Sequence, residues 1–348
     1  MDIHDLLKLV IDKKASDLHI TEGASPILRI DGNLVRVNSP LLKGEDTKDM
    51  IYSILTDAQK VEFEENWELD FSFAVPDLSR FRVNVHIEKG NVEAAFRSVA
   101  LDVKTLEELG LPPVVSEFSR KPNGLVLITG PTGVGKTTTL AAMIDLINTE
   151  SSRLIITIED PIEYLHIHKN SIVKQREVHS DTKSFANALR HVLRQDPDVI
   201  CVGEMRDLET ISTALTAAET GHLVLTTLHT PDVAQTIDRI IDVFPSHQQQ
   251  QVRIQLAGSI QGIISQQLFP GIDRTGRVVA TEILVATSAV RNVVREQKTE
   301  QISTILQTGS RFGMHTMDKS IKELYQKGII SYEVAISKVK NPSEFKKL

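Results

Sequence analysis

The sequence predicts an α/β protein of two modules, an amino-terminal α+β part and a larger part built on a parallel sheet. Three observations predict it. An apolar run, Leu125 to Thr129, turns through glycines into a helical pattern in which Leu140, Ala141, Ile144 and Ile147 share one face. Further apolar runs of strand length recur at 153–158, 197–204 and 221–230, with a helical pattern of Phe185, Leu189, Val192 and Leu193 among them. Upstream, Leu69 to Val75, Phe81 to Ile87 and Val92 to Phe96 alternate apolar and polar residues across two short loops, Pro76 to Ser79 and Lys89 to Asn91, which is the pattern of an antiparallel meander.

The amino-terminal elements follow in order. Ile3, Leu6, Leu7, Val10 and Ile11 recur at helical spacing. Pro26 to Ile30 and Leu34 to Val37 flank an Asp31-Gly32 turn signal and predict a β-hairpin. A Glu- and Gln-rich helix then extends to about Asn66. Within the meander, Arg80 and Arg82 point away from the face of Phe81 and Val83, and Arg97 lies opposite Phe96. Alone they are ordinary solvated charge; beside a phosphate-binding module they are candidates for reaching a neighbour's phosphates.

Thr105-Leu-Glu-Glu108 has the form of a capping box, Gly110 of a helix stop and Pro112-Pro113 of a stiff exit. The predicted boundaries are therefore 1–99 for the amino-terminal domain, 100–123 for a linker and 124–348 for the second domain.

Composition limits the function classes. With 348 residues there is length for about two domains, and 41% hydrophobic with 24% charged residues describes an ordinary globular protein. A net charge of −7 argues against a general nucleic-acid surface, which needs a basic excess to displace counterions. The single Cys201 forbids an intramolecular disulfide and a multi-cysteine zinc site, and its apolar neighbours suggest a core residue. No secretory leader and no run of about 20 apolar residues is visible, so a cytoplasmic location is expected.

The glycine turn carries the chemistry. Gly130, Gly135, Lys136 and Thr137 match G-x-x-x-x-G-K-[ST], a loop whose backbone N–H groups wrap phosphates at the positive end of a helix. Gly130, Pro131, Thr132, Gly133, Val134, Gly135, Lys136, Thr137 and Thr138 are thus the expected nucleotide-binding residues. Lys136 would reach the β- and γ-phosphates of ATP, and the Thr137 hydroxyl would sit on Mg²⁺.

Two acidic positions lie past strands, where open α/β sheets bind ligands. Glu163, in Glu159-Asp-Pro-Ile-Glu163, is placed to meet Mg²⁺ or the attacking water, or else belongs to a solvated acidic loop. Glu204 ends the run Pro197 to Glu204, as a Walker B element requires, but Gly203 stands where Asp is common. Glu204 must then polarise the water or hold Mg²⁺. His229, just past the third apolar run, is placed to sense the γ-phosphate. Leu165-His-Ile-His168 has the look of a surface loop. Helical patterns continue at Val233 to Ile241 and over the long Gln248 to Gln267 segment, followed by a strand at Arg277 to Val285 and more helices.

With these residues in hand, the sequence resembles the retraction ATPases of type IV pili, within the secretion and pilus motor superfamily, over nearly the whole chain. The resemblance lies in Ile158 to Glu163, in Asp196 to Glu204 with its Gly before Glu, in Glu219 to His229, and in Ala289-Val-Arg-Asn-Val-Val-Arg-Glu296, close to that family's AIRNLIRE. It implies a PAS-like amino-terminal domain, a RecA-like ATPase domain and a homohexameric ring. It also implies that Arg80, Arg82 and Arg97 face nucleotide at subunit boundaries, and that the ring works on the cytoplasmic side of the inner membrane. There the family acts on a polytopic platform protein, in some cases with a second retraction ATPase. A GTPase or small-molecule kinase is the alternative enzyme, though no N-K-x-D base-reading motif is found. A non-hydrolysing regulator fits poorly with intact Lys136, Glu163 and Glu204. Assembly ATPases usually carry a four-cysteine zinc loop that Cys201 alone cannot supply, whereas an accessory retraction ATPase stays open as an alternative.

Overall fold

A computed structural model describes residues 2–30, 32–76, 78–99, 102–272, 276–340 and 342. Asp31 of the hairpin turn, Asp77 of the first meander loop, and Ala100 and Leu101 at the start of the expected linker lie outside the described residues. The chain divides into two compact units, Met1–Leu101 with Pro161–Leu165, and Asp102–Asp160 with His166–Leu348.

The first unit contains α1 (Ile3–Asp12), β1 (Asp17–Ile20), β2 (Ile27–Ile30), β3 (Asn33–Arg36), α2 (Gly44–Tyr52), α3 (Asp57–Asn66), β4 (Glu68–Val75), β5 (Ser79–Glu88) and β6 (Asn91–Ser98). Asp2 caps α1 through the Asp5 N–H, and Thr56 and Gln59 form a reciprocal capping box on α3. The strands make one antiparallel sheet in the order β3-β2-β1-β6-β5-β4. One face carries Leu18, Ile20, Phe81, Val83, Val85 and Phe96 against Leu6 and Leu7 of α1, all fully buried. Each such side chain contributes roughly 1.5–3 kcal/mol by leaving water. Because side chains alternate along strands, the opposite face receives the arginines. Arg82 pairs in register with Arg97, Arg97 with Asp17, and Asp17 with Arg29, so these four residues form a ladder across β5, β6, β1 and β2.

The second unit contains α4 (Val114–Ser119), β7 (Gly124–Thr129), α5 (Lys136–Glu150), β8 (Leu154–Glu159), β9 (Ile172–Glu177), α6 (Phe185–Val192), β10 (Val199–Val202), α7 (Leu208–Glu219), β11 (Leu223–Leu228), α8 (Val233–Asp242), α9 (Ser246–Ser259), β12 (Ile260–Pro270), β13 (Arg277–Val285), α10 (Ser288–Arg295), α11 (Ile302–Thr308), α12 (Met317–Gln326) and α13 (Tyr332–Ile336). Its sheet runs β13-β12-β7-β11-β10-β8-β9, parallel except for β13. Helices cover both faces, which is why β7, β10 and β11 are wholly apolar or buried along their length. Leu125 and Leu127 enter the core shared with α6 to α9, while Val126 and Ile128 enter the core shared with α4 and α5.

Two segments differ from their sequence reading. Residues 102–123, expected as a linker, contain α4 and bury Leu106, Leu111, Val115 and Phe118 in the core beneath α5. Gln248 to Gln267, expected as one long helical segment, leaves the helix after Ser259 and becomes β12. The change has a packing cause: from Ile260 onward the chain pairs with β7 on one side and β13 on the other, and Ile263 and Ile264 point into opposite cores of a covered sheet. Leu165 to His168 is a loop as expected, with Ile167 exposed, His166 part-buried and His168 Nδ1 accepting from the Val173 N–H at 3.2 Å. Cys201 is buried, and burial pushes its thiol well up, in keeping with a core role.

Candidate functional site

The loop from Gly130 to Gly135 links the carboxyl end of β7 to the amino end of α5. Two of its glycines are required by geometry. Gly130 has φ +138°, and a Cβ there would lie 2.4 Å from the carbonyl oxygen of Gln266. Gly135, the residue before α5, has φ +86°, a left-handed conformation that an L side chain resists. No side chain caps α5, so the first N–H groups of the helix face the loop interior with the positive end of its dipole.

Lys136 is almost fully buried, and its ammonium donates to the carbonyls of Gly130 at 2.9 Å and Pro131 at 3.0 Å. Lys136 Nζ also lies 3.3 Å from His229 Nδ1, and the Thr132 hydroxyl is 3.4 Å from the same atom. An ammonium only donates, so Nδ1 is assigned as the acceptor and the proton falls on Nε2. His229 Nε2 stands 3.2 Å from Glu204 Oε1, and Arg206 Nη2 stands 2.8 Å from Glu204 Oε2. Lysine, imidazole, carboxylate and guanidinium thus form one chain of contacts, from the phosphate loop to the tip of β10.

Burial by itself would raise the Glu204 carboxyl, but the hydrogen bond and charge of Arg206, with the hydrogen bond from His229 Nε2, outweigh it and hold the group below the ordinary carboxylate value. Glu204 is therefore ionised at neutral pH. The glycine before it has a local reason. A Cβ at Gly203 would meet the Ile158 carbonyl oxygen at 3.3 Å and Glu159 Cα at 3.5 Å, so a side chain there would crowd the backbone of β8.

Thr137 is the second residue of α5 and half-buried, and Thr138 lines a cavity of about 290 Å³ beside Gly135. Leu109, Leu268 and Val279 give that cavity apolar walls, and Arg277 reaches from it to the Gly133 carbonyl at 3.2 Å. Its size and mixed lining suit a planar heterocycle next to a phosphate loop. Among the described residues no cluster of three or more His, Cys, Asp or Glu side chains could hold a metal ion unaided. The donors here are the Thr137 hydroxyl and the Glu204 carboxylate, hard oxygens of the kind Mg²⁺ takes together with phosphates and water.

The structure therefore brings Lys136, Thr132, His229 and Glu204 together in one unit. Glu163 is exposed in Pro161–Leu165, which groups with the amino-terminal unit, as do Arg80, Arg82 and Arg97. Arg97 Nε donates to Asp17 Oδ1 at 2.8 Å, and Arg29 Nε is 3.8 Å from the other Asp17 oxygen. Arg206 and Asp17 were not anticipated. Arg206 lies two residues past Glu204 and was within reach of a local argument; Asp17 acts across 80 positions of sequence and was not.

A glycine-rich strand-to-helix loop, its lysine and an acidic strand tip on a parallel sheet define a P-loop ATPase. Comparison with known proteins agrees. The Type II/IV secretion system protein family matches residues 1–337, and the chain belongs to that family. It is 51% identical to the type IV pilus retraction ATPase PilT of Pseudomonas aeruginosa, across 99% of this chain and 100% of that protein. It is 49% identical to a twitching motility protein of Neisseria gonorrhoeae, across 94% of this chain and 89% of that protein. The crystal structure of the pilus retraction motor PilT with bound ADP superposes with a TM-score of 0.91 at 50% identity, covering 99% of this chain and 98% of that one. The chain is accordingly similar over its full length to members of that family.

Proposed function

We propose that this ATPase drives retraction of type IV pili, and with it twitching motility, as a homohexameric ring at the cytoplasmic face of the inner membrane. The observation that carries the reading is the contact chain Lys136–His229–Glu204 in a chain 51% identical over its length to a type IV pilus retraction ATPase. No helix among the described residues is long and apolar enough to cross a membrane, so attachment would come through a partner, a polytopic platform protein of the pilus machine. No role in nucleic-acid binding is proposed.

The residues divide the work. The N–H groups from Gly130 to Thr138, all but Pro131 having one, bind the phosphates of ATP, and the Lys136 ammonium neutralises charge on the β- and γ-groups. Thr137 and Glu204 would hold Mg²⁺, which would neutralise developing phosphate charge when bound. Glu204, kept ionised, orients and polarises the attacking water. His229 fixes that carboxylate and is well placed to report phosphate at Lys136. Phosphoryl transfer needs positioning and charge stabilisation more than covalent chemistry, and these side chains supply both. Arg80, Arg82 and Arg97, lying on one face of the first sheet, would face the nucleotide of a neighbouring subunit.

Deleting the gene in a piliated host tests the reading. Persisting pili with loss of twitching is the expected result. Loss of all pili would favour an assembly motor, and unchanged motility would contradict retraction.

A further inference from the structure

Gln266 lies in β12 one residue beyond Ser265, which pairs in register with Thr129 at the end of β7. Sheet register therefore delivers it to the mouth of the phosphate loop. Its side chain is 1% exposed and makes two hydrogen bonds of opposite sense. Nε2 donates to the Val134 carbonyl at 2.9 Å, and Oε1 accepts from the Thr139 hydroxyl at 3.1 Å. Val134 precedes Gly135 in the loop and Thr139 lies in the first turn of α5, so one amide spans both sides of the left-handed glycine.

A buried amide is costly unless both halves are satisfied, and here both are satisfied by the phosphate loop and the first turn of α5 rather than by β12 or its neighbouring strands. The bond to Val134 has a directional consequence. In a trans peptide the C=O and the following N–H point in opposite directions, so pinning the Val134 carbonyl against Gln266 aims the Gly135 N–H the other way. The backbone of Gln266 acts in the same sense, since its carbonyl oxygen is the atom that excludes a side chain from Gly130.

We infer that Gln266 is a positioning residue for phosphate binding, which sets the Val134–Gly135 peptide plane so that the Gly135 N–H faces the nucleotide. The inference rests on the phosphate-loop reading and extends it to a strand more than a hundred residues away. Its effect falls on ground state and transition state alike, because the bound phosphates are held by the same N–H in both. Loss of the amide should therefore weaken nucleotide binding while leaving the chemical step near its original rate.

Gln266→Met keeps the volume and removes both hydrogen bonds, whereas Gln266→Glu keeps the acceptor and loses the donor at neutral pH. The full-length variants would be titrated with ADP and assayed for ATP turnover. In Gln266→Met the ADP Kd and the ATP KM should rise about tenfold, at unchanged ADP stoichiometry and with kcat within about threefold. In Gln266→Glu the affinity should fall similarly at neutral pH and recover as the pH is lowered, because the protonated carboxyl regains a donor for Val134; Gln266→Met should show no such recovery. An unchanged ADP Kd in Gln266→Met would overturn the inference, as would a loss of stoichiometry or kcat at constant KM, which marks mere misfolding. Failure of the unsubstituted chain to bind ADP would instead remove the phosphate-loop reading itself.

Discussion

The imidazole Nε2 of His229 stands 3.2 Å from Oε1 of Glu204, and the other ring nitrogen faces the phosphate-loop lysine. The ring thus joins the group that binds phosphate to the group that orients water. His229→Ala should leave ADP affinity close to that of the unsubstituted chain and lower ATP turnover by at least about tenfold, the lower range for loss of a positioned polar group at a reaction centre. Steady-state phosphate release beside ADP titration checks it. Equal turnover would separate His229 from the reaction.

The arginine ladder of the first sheet makes a prediction about assembly. Arg82→Ala and Lys136→Ala should each be nearly inactive alone. If Arg82 acts on a neighbour's nucleotide, mixing the two variants restores turnover, because some interfaces then combine an intact Lys136 with an intact Arg82 from the next subunit. No recovery in the mixture would show that Arg82 does not act in trans.

His166 supplies a pH dependence of stability. Burial lowers its pKa to about 4 from the ordinary 6.5, although Asp145 opposes the shift. Between those two values the unfolded chain takes up a proton that the folded chain refuses, so stability is complete above about pH 6.5 and falls as the pH drops toward 4. The loss amounts to at most about 3 kcal/mol. Thermal midpoints measured across this window should decline less in His166→Asn than in the unsubstituted chain. Parallel curves would remove His166 as the cause.

Arg291 explains part of the Ala289 to Glu296 motif. Its Nη1 donates at 2.6 Å to the carbonyls of Ala257 and Gly258, which close α9 just before β12, while Val290, Val293 and Val294 bury the opposite side of α10. Arg291→Ala leaves two helix-end carbonyls without their cationic donor and should cost about 1–3 kcal/mol. Chemical denaturation checks this, and an unchanged midpoint would mean that the valines hold α10 without the clamp.

What the sequence revealed followed range. Strands β7, β8, β10 and β11 were visible because a covered parallel strand is apolar along its length, and the phosphate loop because its chemistry is contiguous. The meander was visible because one of its faces is polar. β12 was hidden inside a helical reading, since Gln261, Gln266 and Gln267 suit a helix and only pairing with β7 and β13 makes them a strand. Four-residue β1 was too short to show periodicity. Side chains whose meaning lies in distant partners were the least visible: Arg97 was identified but not Asp17, and Gln266 bonds Val134 and Thr139, 132 and 127 positions away.

The central claim is that Glu204 activates the water at a complete ATP site. Steady-state ATP hydrolysis by the full-length Glu204→Gln variant, measured with nucleotide binding in the same preparation, tests it most directly. Retained ADP and ATP affinity with turnover reduced by at least about a hundredfold is the predicted result. Turnover equal to that of the unsubstituted chain would contradict it.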